Sequence, residues 1–379
     1  MKLLYVVATS LLFTLLFFAS TTQAQQNNDL INILLKKNII NQKEADSLRA
    51  EQAANDTAKK QNQHGITIGS RALQISGLIQ TEYEGFESPT AYNTFLVHRA
   101  RLDIKGNIDD QWSYEVYTEF AGVTPKLLDA YTSYKIADFL TFNAGQFKVP
   151  FSLESLIADS QLDFIDRSQV VNALSSRSTD VLGNNIGRDI GIQINGSFVK
   201  IDNRYLFDYT LGLFDGAGYD VTTDNNNHKD LAGRFSIHPI DNLSISADFY
   251  DGVALYIVSG AKTATNNVRD RKGVDARYVL GRLALQAEYD RGTDASINRD
   301  GWYGQATYYV LPKYLQLAAR YDTYDPNEIE THVRTNYRTG GINYFFNNWA
   351  RLEVNYVDVQ QPGEVVKKNI FETQLQLTF

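Results

Sequence analysis

The feature that most constrains this chain is a period of two that starts near residue 66 and holds to residue 379. "LDIKGNID", "YEVYTEFAG", "LTFNAGQFKVPF", "LSISADFYDG", "LALQAEYDRG" and "LEVNYVDV" all alternate apolar with polar or charged residues. Successive side chains of a strand point to opposite faces, so each stretch predicts a strand with one oily and one wet side. Sixteen such stretches are counted, from 72–86 to 368–379. An even number of antiparallel strands is what a closed membrane barrel requires.

The connections separate a membrane barrel from a soluble sandwich. After the second and fourth stretches stand "DQ" and "DF", and later even stretches are followed by "DN", "GR", "LPK" and "NNW". The turn near "VKIDNRYL" reads as somewhat longer. Connections after odd stretches are mostly long and polar, as in "DGAGYDVTTDNNNHK" and "LYIVSGAKTATNNVRDRK". Short turns on one rim and long loops on the other are the pattern of outer-membrane barrels. A soluble barrel shares the alternation without sorting its loops.

The last stretch, "FETQLQLTF", shows the pattern in small. Phe371, Thr373, Leu375, Leu377 and Phe379 share one face, and Glu372, Gln374, Gln376 and Thr378 the other. Its eight steps span roughly 26 Å. Tilted, that projects to about 20 Å, close to the apolar band of such barrels. Phe371 and Phe379 are then expected near the two interfaces, with Glu372, Gln374 and Gln376 facing a wet lumen. A terminal strand ending in Phe379 also resembles the signal read by the barrel assembly machinery. The plain alternative is an ordinary edge strand.

The N-terminus supplies an address. Lys2, the apolar run "LLYVVATSLLFTLLFFA" and the small polar "STTQA" before Gln25 make residues 1–24 a secretory signal peptide, with a membrane anchor as the alternative. No later stretch approaches the ~18 apolar residues of a spanning helix. Residues 25–65 read as a periplasmic helical segment and linker, with Leu30, Ile33, Leu34, Ala45 and Leu48 at helical spacings and Asn41 with Glu44 as a capping box. The expected fold is therefore all-β, a 16-stranded antiparallel transmembrane β-barrel over 66–379 with a short N-terminal helical segment.

Composition closes off other classes. The net charge of −8 leaves no basic footprint for nucleic acid, and the absence of cysteine excludes disulfides and thiolate chemistry. His64, His98, His228, His238 and His332 are scattered without metal-ligand spacing, and His98 is expected to face outward. No spacing points to a Ser–His–acid set. The loop "DVTTDNNNHKD" has oxygen ligands suited to calcium, but reads first as solvated loop. No catalytic residue, metal or cofactor is assigned.

One stretch is more specific. "HRARLDIKGNIDDQWSYEVYTEFAG" is followed by "LLDAYTSYKIADFLTFNAGQFKVPFSLESL", then "DFIDRS" and "GRDIGIQINGSF". Over about residues 95–198 this resembles the phosphate-selective porin O and P family. The resemblance implies a sixteen-stranded porin of the bacterial outer membrane, usually a homotrimer, with the third loop folded inward as a constriction. The connection 152–187 is the longest here and begins after Pro150; a loop of that length inside a compact domain is usually functional. Packing between protomers is its other reading.

The candidate solute path follows from charge. Arg99, Arg101 and Lys105 share one face of the second stretch, opposite Ala100, Leu102 and Ile104, so the basic row points inward. Such a ladder concentrates anions. Folding the hairpin about Asp110 also sets Arg101 opposite Glu119 and Lys105 opposite Glu115, and these cross-strand pairs would brace the wall instead. The third loop carries Glu154, Asp159, Asp163, Asp166 and Asp180 against Arg167 and Arg177, flanked by Lys148 and Arg188. Inward positions elsewhere include Asp248, Glu288, Asp290, Arg320, Glu353 and Glu372. A lumen of mixed sign predicts passive diffusion of small hydrophilic solutes or ions, weakly selective, with phosphate or other anions as the solutes the family name suggests. The expected partners are membrane lipid, small solutes or anions, the assembly machinery through Phe379, and two further copies of the chain. A non-channel barrel, enzyme or surface binder, is the competing reading.

Overall fold

The computed structural model describes residues 68–88, 90–175, 187–202, 204–221, 223–256, 263–364 and 367–379. The signal peptide, helical segment and linker expected over 1–65, and Arg177, lie outside the described residues.

After a three-residue β1 (Ile68–Ser70), the alternating stretches form β2 (Leu73–Phe86), β3 (Thr94–Asn107), β4 (Trp112–Glu119), β5 (Lys126–Ala137), β6 (Leu140–Lys148), β7 (Arg188–Ile201), β8 (Arg204–Phe214) and β9 (Asp230–Ile237). They continue with β10 (Leu243–Tyr256), β11 (Thr265–Leu280), β12 (Leu283–Asp294), β13 (Ile297–Leu311), β14 (Leu315–Asp325), β15 (Thr335–Phe345), β16 (Ala350–Gln360) and β17 (Ile370–Thr378). Each of the sixteen strands β2–β17 pairs antiparallel with the next. The ring shuts where β17 meets β2, with Ile370 opposite Phe86 and Thr378 opposite Leu78. β1 continues along the same edge of β2, with Ile68 opposite Ile75. Closure leaves no strand edge to be satisfied in lipid.

Burial runs inside out. On β17 the side chains of Glu372, Gln374, Gln376 and Thr378 are buried in the lumen, while Phe371, Leu375 and Leu377 are 42, 49 and 37 % exposed. The same inversion holds around the wall, with Ile79, Ile192, Leu211, Phe235, Val274, Leu317 and Ile342 outside and Gln80, Asp248, Glu288, Gln305, Arg320 and Asn343 inside. A belt of exposed Leu, Ile, Val and Phe is stable only against hydrocarbon. Near the rims the belt gives way to aromatic pairs such as Trp112 with Tyr134 and Tyr344 with Phe346, which suit the membrane interface.

The loop sorting also holds, with two corrections. Turns 108–111, 138–139, 281–282, 312–314 and 346–349 are short, and β7 turns into β8 through Asp202, so the connection near "VKIDNRYL" is no longer than the others. Tight turns need left-handed residues, and Asp202, Asn242, Gly281 and Lys313 have φ of 51, 61, 59 and 70°. On the opposite rim, strands reach further than the alternation suggests. β11 starts at Thr265 rather than 272, and β12 joins β13 through residues 295–296 alone. Beyond the bilayer both faces of a strand are wet, so the ladder persists where the alternation is lost.

Phe379 marks the seam of the ring. Its carbonyl accepts from Gly77 N at 2.6 Å, and its N–H donates to Gly77 O at 3.1 Å. Its ring covers Gly77, where a Cβ would lie 2.3 Å from the ring. Because the ring closes where β17 meets β2, deletion of residues 27–60 with residues 1–26 kept is expected to leave a barrel that still shows heat-modifiable mobility on gels. Loss of that mobility would mean the segment belongs to the barrel's folding unit.

Candidate functional site

The connection leaving β6 organises the lumen. It carries α1 (Leu153–Leu156), a 3₁₀ turn (Asp159–Gln161) and α2 (Gln169–Leu174). Ser152 caps α1, its hydroxyl accepting from Ser155 N at 3.1 Å. The free N–H groups at that end go to the barrel wall: Ser152 N donates to Asp248 at 2.9 Å, and Leu153 N and Glu154 N to Glu288 at 3.1 Å. At the other end Lys148 Nζ donates to the carbonyls of Ser155, Leu156 and Ile157 at 3.0–3.1 Å. Carboxylate at the N-terminus and ammonium at the C-terminus is the arrangement a helix dipole favours.

From there the segment is tied to the far wall. Arg320 Nη1 reaches Glu154 at 3.3 Å and Asp166 O at 2.9 Å. Asp163 accepts from Gln305 and Gln316, both at 3.2 Å; its burial pushes its carboxyl up, against the pull of Arg277 and these amides. Arg351 donates to Leu162 O at 2.9 Å and Gln376 to Ser160 O at 3.2 Å. Val170, Val171 and Leu174 of α2 pack on inward-facing Tyr303. Gly301 makes room for Val170, since a Cβ there would come within 2.8 Å of it.

The predicted basic residues among those described, Arg99, Arg101, Lys105, Lys148, Arg167 and Arg188, are each met by an acceptor. The β3–β4 register sets Arg101 opposite Glu119 and Lys105 opposite Glu115, as folding about Asp110 predicts. Arg101 Nε donates to Glu119 at 2.6 Å. Lys105 turns instead to Asp103 at 2.7 Å, and Glu115 accepts from Tyr131 Oη at 2.7 Å, so that expected pair is not made. Arg99 donates to Gln80 at 2.7 Å, and Arg188 to Asp129 at 2.8 Å. Arg99, Arg101 and Arg167 all converge on Asp159. His98 faces inward rather than outward: a β-bulge makes it the extra residue between the Gln80–Arg99 and Thr81–Val97 pairs, and it contacts Glu82.

A cavity of about 790 Å³ lies between the wall of β2–β8 and the 3₁₀ turn. Its lining is of mixed sign, with Lys105, Lys135, Lys148 and Arg188 facing Asp103, Glu115, Asp129 and Asp159. The sequence gives parity, hence Asp248, Glu288, Asp290, Arg320, Glu353 and Glu372 as inward, and all six are buried. It does not give the anchors Gln305, Gln316, Asn343 and Arg351, whose partners lie more than a hundred residues away. Inward parity was their one available signal. In the loop read as a calcium candidate, Asp224 accepts from Asn226 N and Asn227 N and pairs with Lys229. The backbone donors and the ammonium hold its carboxyl below the usual range. Among the described residues no group of three or more His, Asp or Glu is placed to hold a metal ion.

A closed sixteen-stranded barrel, oily outside and polar inside with one loop tied across its lumen, defines an outer-membrane porin. The chain belongs to the family described as phosphate-selective porin O and P, whose model matches residues 73–379. Solved structures agree in fold. The anion-selective porin from Comamonas acidovorans aligns at TM-score 0.62 and 15 % identity over 81 % of this chain and 99 % of its own. The trimer form of OmpT, an outer membrane protein of Vibrio cholerae, aligns at 0.58 and 16 % over 81 % and 99 %. The outer membrane channel DcaP of Acinetobacter baumannii aligns at 0.56 and 13 % over 83 % and 100 %. At these identities the likeness is one of fold alone. No curated protein matches the chain. Family and fold point to a channel rather than an enzyme, a passive route for small hydrophilic solutes across the bacterial outer membrane.

Proposed function

We propose that this porin is a general diffusion pore of weak ion preference, constricted by the segment that carries α1, the 3₁₀ turn and α2. The observation that carries the reading is charge pairing along the lumen. Arg188 is matched by Asp129, Arg234 by Asp248 and Asp275, Arg320 by Glu154 and Asp322, and Arg351 by Glu353. A dedicated anion path would present guanidinium and ammonium groups in excess of carboxylates. Of the predicted path residues, Lys105, Lys148 and Arg188 line the 790 Å³ cavity, and Arg99 and Arg101 of β3 meet the loop's own Arg167 at Asp159. The trimer form of the Vibrio cholerae protein supports a homotrimer.

Planar-bilayer recording tests this. Purified protein should give stepwise conductance, and a salt gradient should give a reversal potential near zero. Inorganic phosphate should block chloride current poorly at physiological ionic strength, where the Debye length is ~8 Å and paired charges act weakly at a distance. Saturation by micromolar phosphate would overturn the weak-preference reading in favour of a phosphate channel. Absence of conductance would favour the non-channel barrel.

A further inference from the structure

Three arginines from two separate elements meet at one carboxylate. Arg99 and Arg101 come from β3 and Arg167 from the loop, and Asp159 on the 3₁₀ turn receives all three. Arg167 and Arg99 address Oδ1, the latter at 3.5 Å, and Arg101 addresses Oδ2. Three donors on a two-oxygen anion exceed what a wall-bracing ion pair needs. The guanidinium fork suits planar and tetrahedral oxyanions alike.

Each arginine is also held by something other than Asp159. Gln80 fixes Arg99 at 2.7 Å. Glu119 fixes Arg101 at 2.6 Å, and the ring of Tyr117 lies 5.5 Å from its guanidinium. The carbonyls of Glu154 and Ile157 fix Arg167 at 3.0 and 2.9 Å. The donor set is therefore preorganised without the carboxylate. Asp159 borders the 790 Å³ cavity, so the seat lies beside open lumen.

We propose that Asp159 is a built-in counter-anion: its carboxylate occupies a three-arginine oxyanion seat in the pore and thereby sets the weak ion preference. The inference rests on the pore reading above and adds the residue that determines selectivity. With Asp159 and Glu119 against three arginines, the cluster has one positive charge in excess. Neutralising Asp159 leaves two and vacates the seat for a small oxyanion.

The test is Asp159→Asn in the full chain, recorded in planar bilayers with inorganic phosphate as the probe. The reversal potential is expected to move toward chloride, and phosphate to block chloride current at about tenfold lower concentration than in the wild type, the step that ~1.4 kcal/mol of binding represents. Asp159→Glu, which keeps the charge, should behave as wild type, and adding Arg167→Gln to Asp159→Asn should reverse most of the shift. Normal conductance with unchanged reversal potential and phosphate block in Asp159→Asn overturns the proposal. So does an equal shift in Asp159→Glu, which would mark displacement of the loop rather than charge. Should Asp159→Asn not assemble, Arg167→Gln alone must shift the wild-type potential toward cations, and no shift refutes the seat. A wild-type barrel that does not conduct refutes the pore reading instead.

Discussion

Leu375→Arg is expected to abolish assembly of the barrel, whereas Ser133→Arg leaves it folded. Leu375 is 49 % exposed on the outer face of β17, opposite Leu352 on β16 and Thr81 on β2. It lies midway between Phe371 and Phe379, the depth at which Arg in a barrel costs about 2–4 kcal/mol. β17 is also the strand that closes the ring onto β2, so a penalty there falls on the last pairing needed to remove the edges. Ser133 is a strand residue too, but it lines the open cavity, where a guanidinium keeps its water. The fraction of heat-modifiable barrel after refolding into detergent or lipid measures the contrast. Equal yields would refute the orientation of β17, and with it the inside-out reading of the whole wall.

That orientation was legible because it depends only on parity. A strand facing lipid on one side and a wet lumen on the other writes its register into the sequence every two residues. Where parity breaks, reading fails. The bulge at His98 adds one residue to β3 and turns an expected outward side chain onto Glu82. Lys105 stands opposite Glu115 as predicted, yet takes Asp103, two residues along its own strand. Side-chain choice between neighbouring carboxylates is set by their other partners, here Tyr131 on Glu115, and not by register. Gln374 points inward as predicted but is 1 % exposed, bonded to Glu353 rather than bathed in water. The cause is the loop, whose partners on β10, β12, β14, β16 and β17 are far away in sequence. The loop's acids and arginines could be counted; their convergence at Asp159 is a property of the closed ring.

Replacing residues 153–186 by a short polar linker is expected to at least about double single-channel conductance while the barrel stays heat-modifiable, since removing a constriction widens the narrowest section of the path. The described part of the loop is held by polar ties to inward-facing wall residues and by apolar packing of α2 on Tyr303 and Tyr324. None of these belongs to the strand ladder that closes the ring. Once the loop is gone, Glu288, Arg320, Asp322 and Arg351 face a lumen wide enough for water, so their charges are hydrated rather than stranded, and the cost that normally follows loss of a buried partner does not arise. Ion preference should move as well. The deletion removes Glu154, Asp159, Asp163, Asp166 and Asp180 but only Arg167 and Arg177, a net loss of three negative charges, so the reversal potential shifts toward anions. A larger pore would also weaken preference through screening, since charges on opposite walls then stand more than a Debye length apart. The shift should therefore be small at physiological salt and plain at low ionic strength. Conductance unchanged by the deletion would mean that solute does not pass the loop, and the constriction would have to be sought elsewhere in the wall.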